Sequence, residues 1–249
     1  MGDRDEAVRQ FLANPEKRGV VYGTLLGDAT LTWIPPGRYQ YKKNHLKCGK
    51  DGTCYIRVKH AADQKSLVLH KHEFMKEIAG KIFEAKPANL KWQMNYGFYT
   101  QTSLVWKEIY DEFYKDARIT TNTKGRIQKY KRINRQILDQ VTDRGLAWWI
   151  MDDGCYSYNK SSSFFRLSTQ GYSKEENQLI IDWFKDKYNV KASMQKNASR
   201  ATNALATYDS YVIYIGERNF ASLRDRLSPF IIPSLCTKLG YPVQPLQVV

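Results

Sequence analysis

Two apolar segments of the chain end in aspartate, and these carboxylates are the residues best suited to chemistry. The segment LAWWIMDDGCY (146–156) ends its apolar run with Asp152 and Asp153, and VVYGTLLGDATL (20–31) reaches Asp28 in a similar way. A helix C-terminus carries roughly half a negative charge and several carbonyls without partners, so aspartate is unfavourable there. For either position alone, an exposed turn that breaks the helix is the simpler explanation.

A shared cation would explain the two aspartates together. If the two helices packed side by side, Gly23, Gly27 and Ala147 would allow close approach of the backbones, and the carboxylates would meet at one end of the seam. Mg²⁺ binds oxygen ligands and is satisfied by one or two carboxylates with water and phosphate. The chemistry expected of such a site is phosphodiester hydrolysis, in which the metal activates a water and stabilises the leaving oxygen. The predicted metal ligands are Asp28, Asp153, Gly27 and Asp152.

The surrounding sequence repeats one order of elements. In each half, an apolar helix ending in aspartate (19–28 and 145–153) precedes two strands, a helix, two more strands and a final helix. One of these helices opens with Ser173 and Glu176, which have the spacing of a capping box. The order α-β-β-α-β-β-α, given twice, predicts a divergent duplication. The predicted units are 1–135, which includes a basic connector, and 136–249.

The charge of the chain favours a polyanionic partner. Lys and Arg number 39 against 25 Asp and Glu, a formal charge of +14, and such an excess indicates nucleic acid. The segments 34–50, 117–135 and 187–202 carry five, seven and four basic residues and no acidic one. Segregated charge of this kind favours a binding surface over generic solubility.

Composition also excludes several classes of protein. No stretch approaches the roughly 20 apolar residues of a membrane span, and the first residues lack the apolar core of a secretory signal. Four cysteines in 249 residues do not make a disulfide framework. We expect an intracellular protein, in the cytoplasm or an organelle matrix, without a membrane partner.

Period-two alternation predicts strands with one apolar and one polar face. In TCYIRVKH (53–60), Cys54, Ile56 and Val58 share one face. A β-ribbon can enter the major groove of DNA and present alternate side chains to base edges. An ordinary solvated sheet would show the same alternation, but the basic excess and the metal-site argument favour DNA. The predicted strand contacts are Arg57, Lys59, Gln93, Asn95, Arg166, Ser168, Gln170, Lys191, Ser193 and Gln195, and a loop at 35–44 adds phosphate contacts through Arg38, Lys42 and Lys43.

Three other constellations are disfavoured. The candidate zinc ligands are His45, Cys48, Cys54 and His60. The spacing from Cys48 to Cys54 is wider than structural zinc sites use, and strand parity puts Cys54 in the core. Cys155 has no histidine nearby in sequence, so a nucleophilic thiol is poorly supported. Trp148 and Trp149 are more typical of a core than of base stacking.

The segments VYGTLLGDA (21–29) and LAWWIMDDG (146–154) resemble the two copies of the motif of the LAGLIDADG homing endonuclease family, in its single-chain, two-motif form. The literal match is loose, but two copies at this separation, each followed by the same element order, are more specific than either alone. LSTQGYSKEE, YVIYIG and LSPFIIPSLCTKLGYP resemble the branch of the yeast mitochondrial intron-encoded enzyme. The resemblance covers about 19–240.

The resemblance implies an α+β fold of two pseudo-symmetric αββαββα units, with antiparallel saddle-shaped sheets and the two motif helices packed at the central interface. Each sheet would lie along the DNA major groove. The last acidic residue of each motif, Asp28 and Asp153, would bind divalent metal at the scissile phosphates across the minor groove.

The family also uses a basic residue near each metal site, which can polarise the attacking water or offset charge at the phosphate. Lys238 matches this position in the second half, and Lys131 is the best match in the first half, with a one-residue gap. Lys124 and Lys129 remain alternatives in the first half. General attraction to phosphate explains Lys131 equally well.

The expected function is therefore a monomeric homing endonuclease that hydrolyses both strands of a long double-stranded DNA target and leaves 3′ overhangs. Mg²⁺ is the expected cofactor, with Mn²⁺ or Ca²⁺ as substitutes in binding. The absence of splicing-type residues at either end favours a free-standing enzyme over an intein. An RNA maturase and a catalytically inactive DNA-binding protein are the alternatives.

Overall fold

The structure is a computed structural model that describes residues 2–36, 51–86, 93–121, 127–158, 162–197 and 210–242. Six residues named above lie outside these ranges: Arg38, Lys42, Lys43, His45, Cys48 and Lys124. The chain forms two compact units, a first unit of Met1–Arg18 and Asp28–Glu112 and a second unit of Gly19–Gly27 and Phe113–Val249. The division of the duplicated halves at 135 and 136 stays a prediction.

The helices of the described ranges include both predicted motif helices. They are α1 (Gly2–Ala13), α2 (Pro15–Leu26), α3 (Lys65–Phe74), α4 (Trp106–Tyr114), α5 (Arg135–Gln140), α6 (Asp143–Asp153), α7 (Lys174–Tyr188) and α8 (Glu217–Leu227). Short 3₁₀ segments occupy Ala62–Gln64, Ser228–Phe230 and Pro233–Leu239. Within the described ranges, no helix has the length and apolar character needed to cross a membrane.

Within the described ranges, the strands form two four-stranded sheets and one hairpin. They are β1 (Thr30–Ile34), β2 (Thr53–Ala61), β3 (Phe83–Ala85), β4 (Asn95–Tyr99), β5 (Ile119–Thr121), β6 (Ile127–Lys129), β7 (Gly154–Ser157), β8 (Phe164–Leu167), β9 (Ser193–Lys196) and β10 (Tyr211–Gly216). The sheet of the first unit has the order β1-β2-β4-β3, and that of the second unit has the order β7-β8-β10-β9. All pairings in both sheets are antiparallel. The predicted α+β class and the repeated order of elements are confirmed.

The apolar face of each sheet packs against helices of its own unit. In the first unit, Cys54, Ile56 and Val58 are all 0 % exposed, and α3 packs on β2 and β4. In the second unit, Phe165 of β8 is stacked on Phe220 of α8, with ring centroids 4.3 Å apart. The strand parity predicted from the sequence is therefore confirmed in both sheets.

Some predicted strands end earlier than expected. Beyond the strand ends lie Gln93, Ser168, Gln170 and Lys191. After Leu167, the last residue that pairs with β10, the chain turns and the Tyr172 amide donates to the carbonyl of Thr169 at 3.0 Å. The prediction that these four residues lie on strand faces is wrong. After Leu167 the backbone leaves the ladder for this turn, although β10 itself continues to Tyr211.

The basic connector contains regular structure. The hairpin β5–β6 lies within it. Helix α5 follows from Arg135, and the side chain of its N-cap residue Asn134 accepts a hydrogen bond from the Ile137 amide at 2.8 Å. The capping box predicted for α7 is also present, with Ser173 and Glu176 each accepting from the other's backbone amide. These caps fix where the connector ends and where α7 begins.

Candidate functional site

Helices α2 and α6 cross with their backbones in contact within the second unit. A Cβ added to Gly23 would lie 2.0 Å from the Gly145 carbonyl oxygen, and one added to Gly145 would lie 2.2 Å from the Gly19 carbonyl oxygen. Only residues without a side chain fit this crossing. The prediction named Gly23, Gly27 and Ala147, and it missed the contact residues Gly19 and Gly145. Ala147 is fully buried.

Side chains from distant segments satisfy the C-terminal carbonyls of α2. Lys131 Nζ donates to the carbonyl of Leu25 at 2.5 Å and to that of Gly27 at 2.7 Å. Between them, the Tyr172 hydroxyl donates to the carbonyl of Leu26 at 2.9 Å. A helix leaves its last carbonyls unpaired and negative, so an ammonium group is favourable there. Asp28 is the residue that follows Gly27 in the chain.

The end of α6 is held by Trp149 and Ser168, which lie close to it in the sequence, and by a weaker contact from the distant Lys238. Lys238 Nζ lies 3.5 Å from the carbonyl oxygen of Asp152. The Asp153 carboxylate accepts a hydrogen bond from Trp149 Nε1 at 3.2 Å, and its carbonyl accepts from the Ser168 amide at 3.0 Å. Asp152 is 7 % exposed, whereas Asp153 is half-buried. Asp153 is thus the more accessible of the two carboxylates.

Oxygen donors converge where α2 and α6 end in the second unit. A Cβ added to Gly27 would lie 2.2 Å from Asp152 Oδ2, so the buried carboxylate lies directly against the Gly27 backbone. Gly27 and Asp152 occupy equivalent places in the two motif copies, and the carbonyl of each lies next to a lysine. All of these donors are oxygens, which is the ligand type that Mg²⁺ and Ca²⁺ prefer.

In the first unit, Asp28 lies beside a buried histidine. Its carboxylate is 48 % exposed, and Oδ2 lies 3.5 Å from Nδ1 of His60. That nitrogen also lies 2.9 Å from Gln64 Oε1. The sequence argument treated His60 only as a zinc candidate and missed this position, although its even number on β2 places it on the same face as Cys54. Burial raises the pKa of the Cys54 thiol to about 12, which disfavours the thiolate that zinc binds.

The outward face of the first sheet carries the predicted basic residues. Arg57 and Lys59 are exposed, and Arg57 pairs with Thr30 on one side and Tyr99 on the other. Asn95 opens β4 opposite Ala61. Gln93 is exposed but precedes the strand. Arg57, Lys59 and Asn95 therefore share one face of the sheet.

In the second sheet, register places four residues in one outward row. Cys155, Arg166, Tyr214 and Ser193 are successive cross-strand partners on β7, β8, β10 and β9. Gln195 is exposed on the same face, opposite Val212. Cys155 and Tyr214 were not among the predicted contacts. Their position follows from pairing register, which the sequence alone leaves open. Ser168 and Gln170 are half-buried in the turn after β8, and Lys191 is exposed before β9.

Comparison with known proteins places this arrangement in a family. The model of the LAGLIDADG DNA endonuclease family matches residues 18–223. The DNA endonuclease I-ChuI of Chlamydomonas applanata is 22% identical over 234 residues, which cover 90% of this chain and 94% of that protein. The probable intron-encoded endonuclease 1 of Wickerhamomyces canadensis is 30% identical over 122 residues, 47% of this chain and 48% of that protein.

Two further similarities concern an RNA maturase and a solved structure. The cytochrome b mRNA maturase bI2 of Saccharomyces cerevisiae is 32% identical over 143 residues, 57% of this chain and 30% of that protein. The chain thus spans about half or less of two of these curated relatives. The structure of the homing endonuclease I-WcaI bound to its DNA recognition sequence superimposes with a TM-score of 0.65 at 20% identity, over 93% of both chains. At this identity the likeness concerns the fold.

Proposed function

The chain belongs to the LAGLIDADG DNA endonuclease family, and on that premise we propose that it is a site-specific homing endonuclease. It hydrolyses both strands of a long double-stranded DNA target and leaves 3′ overhangs, acting as a monomer. The observation that carries the proposal is the arrangement at the ends of α2 and α6. There, equivalent carbonyls, of Gly27 and Asp152, each lie next to a lysine, directly before Asp28 and Asp153.

Asp28 and Asp153 are the proposed metal-binding carboxylates, with Gly27 and Asp152 as further oxygen donors. Mg²⁺ bound by them would activate a water and stabilise the leaving oxygen of the phosphodiester, and Mn²⁺ or Ca²⁺ would substitute in binding. The exposure of the Asp28 side chain supports a role at an accessible site. The burial of Asp152 favours a secondary role for it, as an oxygen donor behind the more accessible Asp153.

Lys131 and Lys238 are the proposed basic catalytic residues. Their contacts with equivalent carbonyls support this pairing, and favour Lys131 over Lys129, which is exposed at the end of β6. An ammonium group at this place can offset negative charge at the phosphate. Since each lysine touches a helix end, its position is fixed before DNA binds.

The outward faces of the two sheets are the proposed DNA-reading surfaces. Side chains on alternate strand positions read base edges, while basic residues at the margins bind phosphates. The proposed contacts are Arg57, Lys59, Asn95, Arg166, Ser193 and Gln195 on the strands, Gln93, Ser168, Gln170 and Lys191 next to them, and Arg38, Lys42 and Lys43 in the loop outside the described residues.

Cleavage of a randomised duplex DNA library tests the proposal. The purified protein should produce double-strand breaks at one family of sequences with Mg²⁺ and none with EDTA. Asp28→Asn and Asp153→Asn should each abolish the breaks. Asp182→Asn is the matched control, because it removes an exposed carboxylate of α7 that accepts a hydrogen bond from Gln178 in the same helix. Breaks that persist in both site variants would exclude this active site.

An RNA maturase is the second candidate, because two relatives carry that name. A maturase would bind a structured intron RNA through the same basic surface, and the aspartates would be dispensable. Tight binding of intron RNA together with intact DNA substrates would favour this function. A catalytically inactive DNA-binding protein would bind selected duplexes without breaking them.

A further inference from the structure

Tyr172 is a buried residue that touches the end of a motif helix from far away in the sequence. It lies 146 positions from Leu26, and its hydroxyl donates to the Leu26 carbonyl at 2.9 Å. Leu26 is the last residue of α2 and precedes Asp28 by two positions. Both residues of this hydrogen bond belong to the second unit.

The turn that carries Tyr172 is held on several sides. Asn177, fully buried in α7, donates to the carbonyls of Tyr172 at 3.3 Å and Ser173 at 2.8 Å and accepts from the Thr169 hydroxyl at 2.5 Å. Arg118 of the connector donates to the carbonyl of Gly171 at 3.1 Å. These hydrogen bonds order the turn in the protein alone. The hydrogen bond from Tyr172 to Leu26 therefore costs little additional conformational entropy.

The same turn is tied to the stretch that carries Lys131. The Glu176 carboxylate accepts from the Ser173 amide at 2.7 Å and from the Ile133 amide at 2.9 Å. Ile133 lies two residues after Lys131 in the connector. One segment, 169–176, thus supports both the hydroxyl and the ammonium group that reach the carbonyls of α2.

Tyr172 is chemically suited to act as a permanent donor. Burial raises the pKa of its phenol well above the usual range, and the nearby carboxylates of Asp153 and Glu176 act in the same direction. The hydroxyl therefore keeps its proton. Its removal would leave the Leu26 carbonyl without this donor, which is unfavourable for a buried polar group.

We propose that Tyr172 is a positioning residue that holds the end of α2, and that it thereby sets the cleavage rate of the strand served by Lys131. This inference rests on the proposed function. The end of α6 has other supports, namely Trp149 and the Ser168 amide. Loss of the hydroxyl should therefore affect the two strands unequally. A displacement of about 1 Å at a reacting group can cost on the order of a hundredfold in rate.

Two measurements on Tyr172→Phe test the proposal. In hydrogen exchange of the protein alone, amides in peptides covering 24–30 should exchange faster than in the wild type. In cleavage of a linear duplex that carries a target selected from the randomised library, with each strand end-labelled, one strand should be cut at least about tenfold more slowly than the other. A supercoiled plasmid with the same target gives a second readout. The slowed strand should be the one that Lys131→Met slows, and nicked circles should accumulate.

Tyr188→Phe is the matched control, because Tyr188 is another tyrosine of the second unit whose phenol pKa is raised by burial. Its hydroxyl lies beside Asp143, which begins α6 rather than ending it. This control should exchange at 24–30 and cut both strands as the wild type does.

Three outcomes would overturn the proposal: unchanged exchange at 24–30 in Tyr172→Phe, equal slowing of both strands, or slowing of the strand that Lys238→Met slows. Tyr172→Phe could unfold more easily than the wild type. Exchange at 24–30 is then compared at a temperature where both proteins are folded, and that comparison still tests the proposal. Absence of cleavage by the wild-type protein would instead overturn the proposed function, and with it the strand effect.

Discussion

The ends of α2 and α6 occupy equivalent places in the repeated order of elements, yet different contacts hold them. At α2, Lys131 and Tyr172 reach three successive carbonyls at 2.5–2.9 Å. At α6, Lys238 approaches one carbonyl at 3.5 Å. The other contacts go to Asp153 and come from Trp149, four residues before it in the same helix, and from the amide of Ser168, just after β8. The two halves share one topology, while different contacts hold each helix end.

Residues at equivalent positions of the two halves can therefore contribute unequally to the free energy of unfolding. The contacts at α2 join segments more than 100 positions apart, so they contribute to tertiary stability as well as to the site. The contacts of Asp153 are partly local to α6. The following predictions test the comparison, beginning with the largest expected effect.

The crossing of α2 and α6 should tolerate substitution less than any other feature compared here, and the loss should be equal for a glycine on either helix. Gly23→Val and Gly145→Val each place side-chain atoms where the other backbone lies, and each should lower the free energy of unfolding by about 3 kcal/mol or more. Urea unfolding followed by circular dichroism measures the loss. Gly171→Ala is the control, since nothing lies within 4 Å of its added Cβ. Tolerance of valine at one glycine alone would show that the crossing is not mutual.

The two lysines should separate stability from catalysis. Lys131→Met should lower the free energy of unfolding by about 1–3 kcal/mol, because it removes two charged hydrogen bonds, whereas Lys238→Met should cost less than about 1 kcal/mol. Each variant should slow cleavage of a different strand by about a hundredfold. Thermal unfolding and strand-resolved cleavage measure the two effects. Equal destabilisation by both variants would contradict the difference between the helix ends.

The arginines of the two sheets should differ in how sharply they read a base. Arg166 is half-buried and Arg57 is exposed, so the guanidinium of Arg166 is the more restricted. Arg166→Ala should lose about 1–3 kcal/mol of discrimination at one base pair, and Arg57→Ala should lose less. Binding to a library of single-base target variants measures this. Uniform weakening across all sequences by Arg166→Ala would show that this side chain touches only the DNA backbone.

Changes at Cys54 and Cys155 should have the smallest effect on cleavage, since neither residue is proposed to act in catalysis. Cys54 faces the core of the first sheet and Cys155 is exposed on the second. Because burial raises the pKa of Cys54 from 9.0 to about 12, the folded state binds more protons than the unfolded state between these values, and stability should fall as pH rises above about 9.

Alkylation with iodoacetamide at pH 8 should modify Cys155 and spare Cys54 until the protein unfolds. Peptide mass spectrometry measures both sites, and unfolding from pH 8 to pH 10 measures the stability change. Rapid modification of Cys54 in the folded protein would contradict its burial.

Local features of the fold were accessible from the sequence. Apolar runs ending in Asp-Gly or Gly-Asp located the ends of α2 and α6 within a few residues, and alternation assigned Cys54 and Arg57 to opposite faces of β2. The spacing of Ser173 and Glu176 predicted the start of α7. Each of these depends on neighbours within one or two turns or pleats, so the signal lies in a short stretch of chain.

Which residues support the helix ends was decided only by the tertiary structure. Lys131 lies in a connector rich in basic residues, where the family resemblance favoured it but left Lys124 and Lys129 as alternatives. Its contact with Gly27 spans 104 positions. Tyr172 and Gly145 carried no local signal at all, because a hydroxyl near a distant carbonyl, or a glycine at a helix crossing, depends on how helices pack. The sequence by itself determined the main elements and their order, which follow from local periodicity, and the net charge, which follows from composition. The long-range contacts at the ends of α2 and α6 arose from packing, which depends on all the surfaces that come together.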